Sequence, residues 1–117
     1  MAAGLEPDSP HHHFGLGNAF QMLGQSHRAL ACYAEAIRLS PTYKEAHFNA
    51  GESLQAMGQD ELAERAFQVV LQLDPANWRA HFKLAEICQQ RGNTALSARH
   101  LDAAARLNPA LLAPAPK

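Results

Sequence analysis

No run of this chain stays apolar for the roughly 18 residues that a membrane-crossing helix requires, and its first residues lack the basic segment and apolar core of a secretory signal. The expectation is a cytoplasmic protein that does not enter a membrane. Cysteine is scarce, with Cys32 and Cys88 the two present, so no disulfide framework can staple the fold. An excess of one charge is also missing: 10 Lys and Arg stand against 11 Asp and Glu, for a formal net charge of -1. Phosphate binding needs clustered cations that release counterions, which excludes nucleic acid as the expected partner. Nor is there a Gly-rich phosphate loop, a nucleophile elbow, an HExxH pair, or a Cys and His with a protease signature. The chain reads as not an enzyme.

What is present is ordinary in amount and regular in arrangement. The 117 residues fit one domain, and 47% hydrophobic with 18% charged residues can form a core without metal or cofactor. Three markers recur at one spacing: Pro41, Pro75 and Pro109; Gly24, Gly58 and Gly92; and the pairs His13-Phe14, His47-Phe48 and His81-Phe82. Each set steps by 34 residues. Between the markers, apolar residues fall three and four apart, as Leu30, Tyr33, Ala34 and Ile37 do, or Leu62, Ala66, Phe67, Val70 and Leu73. That period predicts helices, and each unit reads as helix, Gly turn, helix and closing Pro. The register places helices near 10–23, 27–39, 43–57, 60–73, 78–91 and 94–107.

The repeat positions resemble the tetratricopeptide repeat (TPR), whose 34-residue pattern sets Leu-Gly, an aromatic, Ala, an aromatic and Pro at fixed offsets. The first unit carries Leu16, Gly17, Phe20, Gly24, Ala29, Tyr33, Ala36 and Pro41; the second Ala50, Gly51, Leu54, Gly58, Ala63, Phe67, Val70 and Pro75. The third is looser, with Leu84, Ala85, Cys88, Gly92, Ser97, Leu101, Ala104 and Pro109. Histidine stands where the family usually has Trp. The resemblance implies an all-α fold, a right-handed superhelix of three helix-turn-helix hairpins. Residues 1–9 read as a flexible lead-in, 10–109 as the repeat domain (10–43, 44–77, 78–109) and 110–117 as a Pro-rich tail, in which Leu111 and Leu112 fold back as a partial cap. Cys32 and Cys88 fall in non-neighbouring repeats, so they are not expected to pair.

Seven histidines raise the question of a metal. Equivalent positions in successive repeats lie about 8–10 Å apart, a helix-packing distance, whereas ligands must converge at ~2 Å. His13, His47 and His81 are therefore read as packing residues, no metal or other cofactor is expected, and Cys88 is read as a core thiol.

By the same resemblance, the first helix of each repeat lines a concave groove that holds an extended peptide. The implied groove residues are Phe14, Asn18, Phe48, Asn49, Glu52, Arg79, Phe82, Lys83 and Glu86. Asn18, Asn49, Arg79 and Lys83 match part of the clamp with which family members hold the Glu-Glu-Val-Asp tails of cytosolic chaperones. Phe14 replaces the clamp's first lysine, and Glu86, three residues beyond Lys83 on one helix, can neutralise it. The expected function is a protein-interaction module or adaptor for a peptide or protein segment. Co-chaperone-like binding of acidic tails is one alternative. The other is weak homo-oligomer formation through the uncovered last helix, where Ala105 stands at the place of Ile37 and Leu71.

Overall fold

The computed structural model describes residues 8–112, and among them it holds six α-helices, a short 3-10 turn and no strand. The helices are α1 (Pro10–Met22), α2 (Ser26–Leu39), α3 (Lys44–Ala56), α4 (Asp60–Leu73), α5 (Trp78–Gln90) and α6 (Thr94–Leu107), and the turn is Pro109–Leu112. Each helix end lies within a residue of the 34-residue register. The flexible lead-in and the Pro-rich tail fall largely on residues 1–7 and 113–117, outside the described residues.

Local chemistry sets the boundaries. Gly24, Gly58 and Gly92 turn the chain inside each hairpin at φ between 75° and 79°, a left-handed conformation that costs a residue with a Cβ about 1–2 kcal/mol. The Oδ1 atoms of Asn77 and Asn93 accept from the N–H groups of Ala80 and Leu96, capping α5 and α6. Pro at 41, 75 and 109 follows a non-helical residue and separates one hairpin from the next.

The hairpins α1·α2, α3·α4 and α5·α6 pack tightly, and α2·α3 and α4·α5 join them into a helical repeat solenoid of 53 × 31 × 27 Å. Within the first two hairpins a fully buried ring meets a glycine. A Cβ on Gly17 would lie 2.7 Å from the Tyr33 ring, and one on Gly51 would lie 2.8 Å from Phe67. The third hairpin has Ala85 and Leu101 at these places, a larger first residue matched by a smaller second.

Two core clusters result. Tyr33, Ala29 and Ala50 join the first repeat to the second, and Phe67, Ala63, Leu54, Leu84 and Ile87 join the second to the third. The expected stripes were too wide. Ala34 is exposed, and so are Leu62 and Leu73, which lie roughly 80–100° round α4 from buried Ala63, beyond the face that neighbouring helices cover.

Candidate functional site

Because α1, α3 and α5 recur at one offset, their equivalent side chains fall in columns, and along those columns runs a groove of about 690 Å³. Its lining includes Phe14, Phe48, Asn49, Glu52, Arg79, Phe82 and Lys83 from the sequence-derived set, together with Lys44, Glu45, Asn77, Trp78 and Leu111. Asn18 and Glu86 are not among the lining residues. Lys44 and Trp78 were missed although they are register equivalents at the first helical residue. Leu111 was assigned to the cap; the 3-10 turn carries it into the groove.

The three phenylalanines are not equivalent. The Phe14 ring packs 5.0 Å from Tyr43 and 5.9 Å from Tyr33, and Phe48 meets Phe67 edge-on at 5.3 Å, so both rings also hold helices together. Phe82 has no aromatic neighbour of this kind among the described residues. With Trp78 and Leu111 it adds apolar surface to the lining of the groove.

The polar residues are mostly engaged within the chain. Asn18 Oδ1 accepts from the Tyr33 hydroxyl at 2.6 Å and from Asn49 Nδ2 at 2.8 Å, tying α1, α2 and α3 together. One repeat later the same two positions carry Glu52 and Lys83, and they pair at 3.4 Å. Lys83 also lies 3.6 Å from Glu86, so two carboxylates flank one ammonium. Gln21, three residues beyond Asn18 on α1, accepts from buried Ser53 at 2.7 Å. Three of these links, Asn18 to Asn49, Gln21 to Ser53 and Glu52 to Lys83, stitch the first helices of successive repeats to each other. Lys44 pairs with Asp74 at 3.1 Å, and Asn77 donates to the same oxygen at 3.4 Å.

Two charges in the groove have no ion-pair partner among the described residues, Glu45 and Arg79. Arg79 lies against the face of Trp78, its guanidinium carbon 5.4 Å from the ring centroid.

Among the described residues, no three His, Cys, Asp or Glu side chains converge as a metal set would. His47 Nε2 bonds the Pro41 carbonyl, His11 Nδ1 the Tyr43 hydroxyl, and His81 Nδ1 the Nδ1 of His100 at 3.2 Å. The cysteines are free, and burial pushes both thiols up, the opposite of what a nucleophile needs.

A family model for the TPR repeat matches residues 23–58, and one for the tetratricopeptide repeat matches residues 48–111. No curated protein matches the sequence. Solved structures are similar in fold. MamA superposes with a TM-score of 0.86 at 20% identity, over 92% of this chain and 63% of that one. The second TPR of Spaghetti (RPAP3), solved with the HSP90 peptide SRMEEVD, gives 0.82 at 18% identity, over 86% and 93%. The Yersinia enterocolitica type III secretion chaperone SycD, in complex with a peptide of the translocator YopD, gives 0.81 at 23% identity, over 84% and 75%. The chain spans less than two thirds of the length of the MamA structure it matches. Among the described residues, no helix is long and apolar enough to cross a membrane.

Proposed function

The chain belongs to the tetratricopeptide repeat family, and from that premise we propose that it is a non-enzymatic adaptor holding an extended segment of another protein in the groove of α1, α3 and α5. The observation that carries this reading is the apolar lining contributed by Trp78, Phe82 and Leu111, whose surfaces are not consumed by the ring packing that occupies Phe14 and Phe48. Apolar side chains of a bound segment would enter there. Arg79 and Glu45, the unpaired charges beside it, would hold polar groups of the same segment. Two structures of similar fold, RPAP3 and SycD, were solved with peptides bound, which supports a peptide as the ligand class.

Acidic chaperone tails suit this groove poorly. A terminus with two carboxylates needs a net positive field, and here Lys83 is shared between Glu52 and Glu86 while Lys44 is taken by Asp74.

Trp78 is the single tryptophan and lines the groove, so its fluorescence reports occupancy. Titration with extended peptides bearing spaced apolar side chains is expected to shift Trp78 emission, and Phe82→Ala to weaken binding about tenfold or more, the usual loss for a buried aromatic anchor. The peptide SRMEEVD is expected to bind weakly and to improve in Glu52→Gln/Glu86→Gln. Binding untouched by Phe82→Ala would place the ligand elsewhere, and tight binding of SRMEEVD by the unaltered chain would overturn the charge argument.

A further inference from the structure

The two ends of the described solenoid carry the same register positions that meet where its own repeats join. Inside the chain, α3 and α5 bury one row against the preceding repeat: Ala46, Ala50 and Ser53 on α3, and Ala80, Leu84 and Ile87 on α5, all at most 5% exposed. The same row on α1 is His12, Leu16 and Ala19, continued by Leu23 where α3 and α5 have Met57 and Arg91. No described residue covers it as its equivalents are covered: Leu16 is 40% exposed where Ala50 and Leu84 are 5% and 1%, and Leu23 beyond it is exposed, as Arg91 is.

At the other end, α6 presents the position that is filled by Tyr33 and Phe67 in α2 and α4. Those rings are 1% and 0% exposed, and Leu101 is 44% exposed. Ala98 beside it is exposed as well.

We propose that copies of this chain stack head to tail, the α1 end of one upon the α6 end of the next, so that the repeat-to-repeat interface continues from molecule to molecule. The residue exchanges at the two ends fit each other. The tail has lost volume, with Leu101 in place of a ring and Ala105 in place of Ile37 or Leu71. The head has gained it at one position, with His12 in place of Ala46 or Ala80, keeps Leu16 where the others have Ala50 or Leu84, and is smaller at Ala19, in place of Ser53 or Ile87. The charges agree too. Inside the chain Glu64 of α4 crosses to Arg91 at the end of α5, 3.0 Å away. One repeat outward those positions are Ala98 on the tail and Leu23 on the head, so stacking sets an apolar pair where the chain itself uses an ion pair. A joint of this kind is heterologous and does not close on itself, and it lengthens with concentration. It uses neither the groove nor its ligand, so it stands apart from the proposed peptide binding.

Sedimentation equilibrium of the 117-residue chain tests it. The average mass is expected to rise from 12.7 kDa with concentration and not to level off at two copies. Leu23→Arg and Ala98→Glu, both on exposed surface, are each expected to weaken association at least tenfold while circular dichroism stays unchanged. The double variant, which rebuilds the internal Glu-Arg pair across the joint, is expected to regain it, and so is an equimolar mixture of the two single variants. A chain that stays at 12.7 kDa up to millimolar concentration overturns the proposal. So does association that stops at two copies and survives Leu23→Arg, which would mark a symmetric contact between α6 helices.

Discussion

His100 shows how one exchanged residue adds a property to a repeated framework. Its equivalents are Cys32 and Ala66, neither of which titrates near neutrality, while His100 shares a hydrogen bond with His81. Burial, and after it the proximity of His81, hold His100 below the ordinary histidine value of 6.5. Between that lowered value and 6.5, the unfolded chain takes up a proton that the folded chain resists. Stability therefore rises with pH across this window, is complete above about 6.5 and is lost as pH falls through it. Thermal midpoints measured from pH 7.5 down to 5 should decline, and His100→Ala, which copies the second repeat, should flatten that decline. Phe48 and Phe82 separate in the same residue-level way. Phe48→Ala removes a ring packed on Phe67 and should cost about 2–4 kcal/mol in denaturant unfolding as well as ligand binding, whereas Phe82→Ala should lose binding with a smaller stability change. The sequence shows which residue types stand in the groove, but not that Asn18, Asn49 and Lys83 spend their polar groups on neighbouring repeats. That information lies in distances between residues some 31 positions apart.

At the scale of the helix pair, each hairpin is fixed by a turn and by one close approach. Gly58→Ala must place a Cβ at φ 77° with open space around it, so its cost should be the backbone penalty alone, about 1–2 kcal/mol. Gly51→Ala keeps an ordinary helical backbone but drives a methyl to 2.8 Å from Phe67, and should cost about 1–3 kcal/mol through overpacking. Chemical denaturation separates the two origins, because pairing Gly51→Ala with Phe67→Leu copies the third repeat and should recover part of the loss, while no partner change rescues Gly58→Ala. Here the sequence is highly legible. Turn glycines, prolines and helix limits follow from the register, since each is decided within a few residues of itself. Leu62 and Leu73 were misjudged because an apolar stripe shows that a helix has a buried side, while the width of that side depends on which helices lie across from it.

For the whole molecule, the one-dimensional order of contacts decides where stability resides. The second repeat is covered on both sides, with Ala50 packed against Tyr33 and Ala29, and Phe67 joined to Leu84 and Ile87. Among the described residues, each outer repeat has one such neighbour. In a solenoid, stability is close to a sum of repeat and nearest-neighbour terms, so the outer repeats open at lower free energy than the inner one. Native-state amide exchange should therefore be slowest in α3 and α4, faster in α1, α2, α5 and α6, and fastest at the Pro109–Leu112 turn. The groove runs across that gradient, since its lining begins at Phe14 in α1 and reaches Leu111 past α6. A ligand spanning it would bind only the state in which all three repeats are folded and stacked, and would add its binding free energy to the opening of the outer ones. Protection should then rise most in α1, α5 and the closing turn and least in α4, and uniform protection across all six helices would show that the chain opens as a single unit.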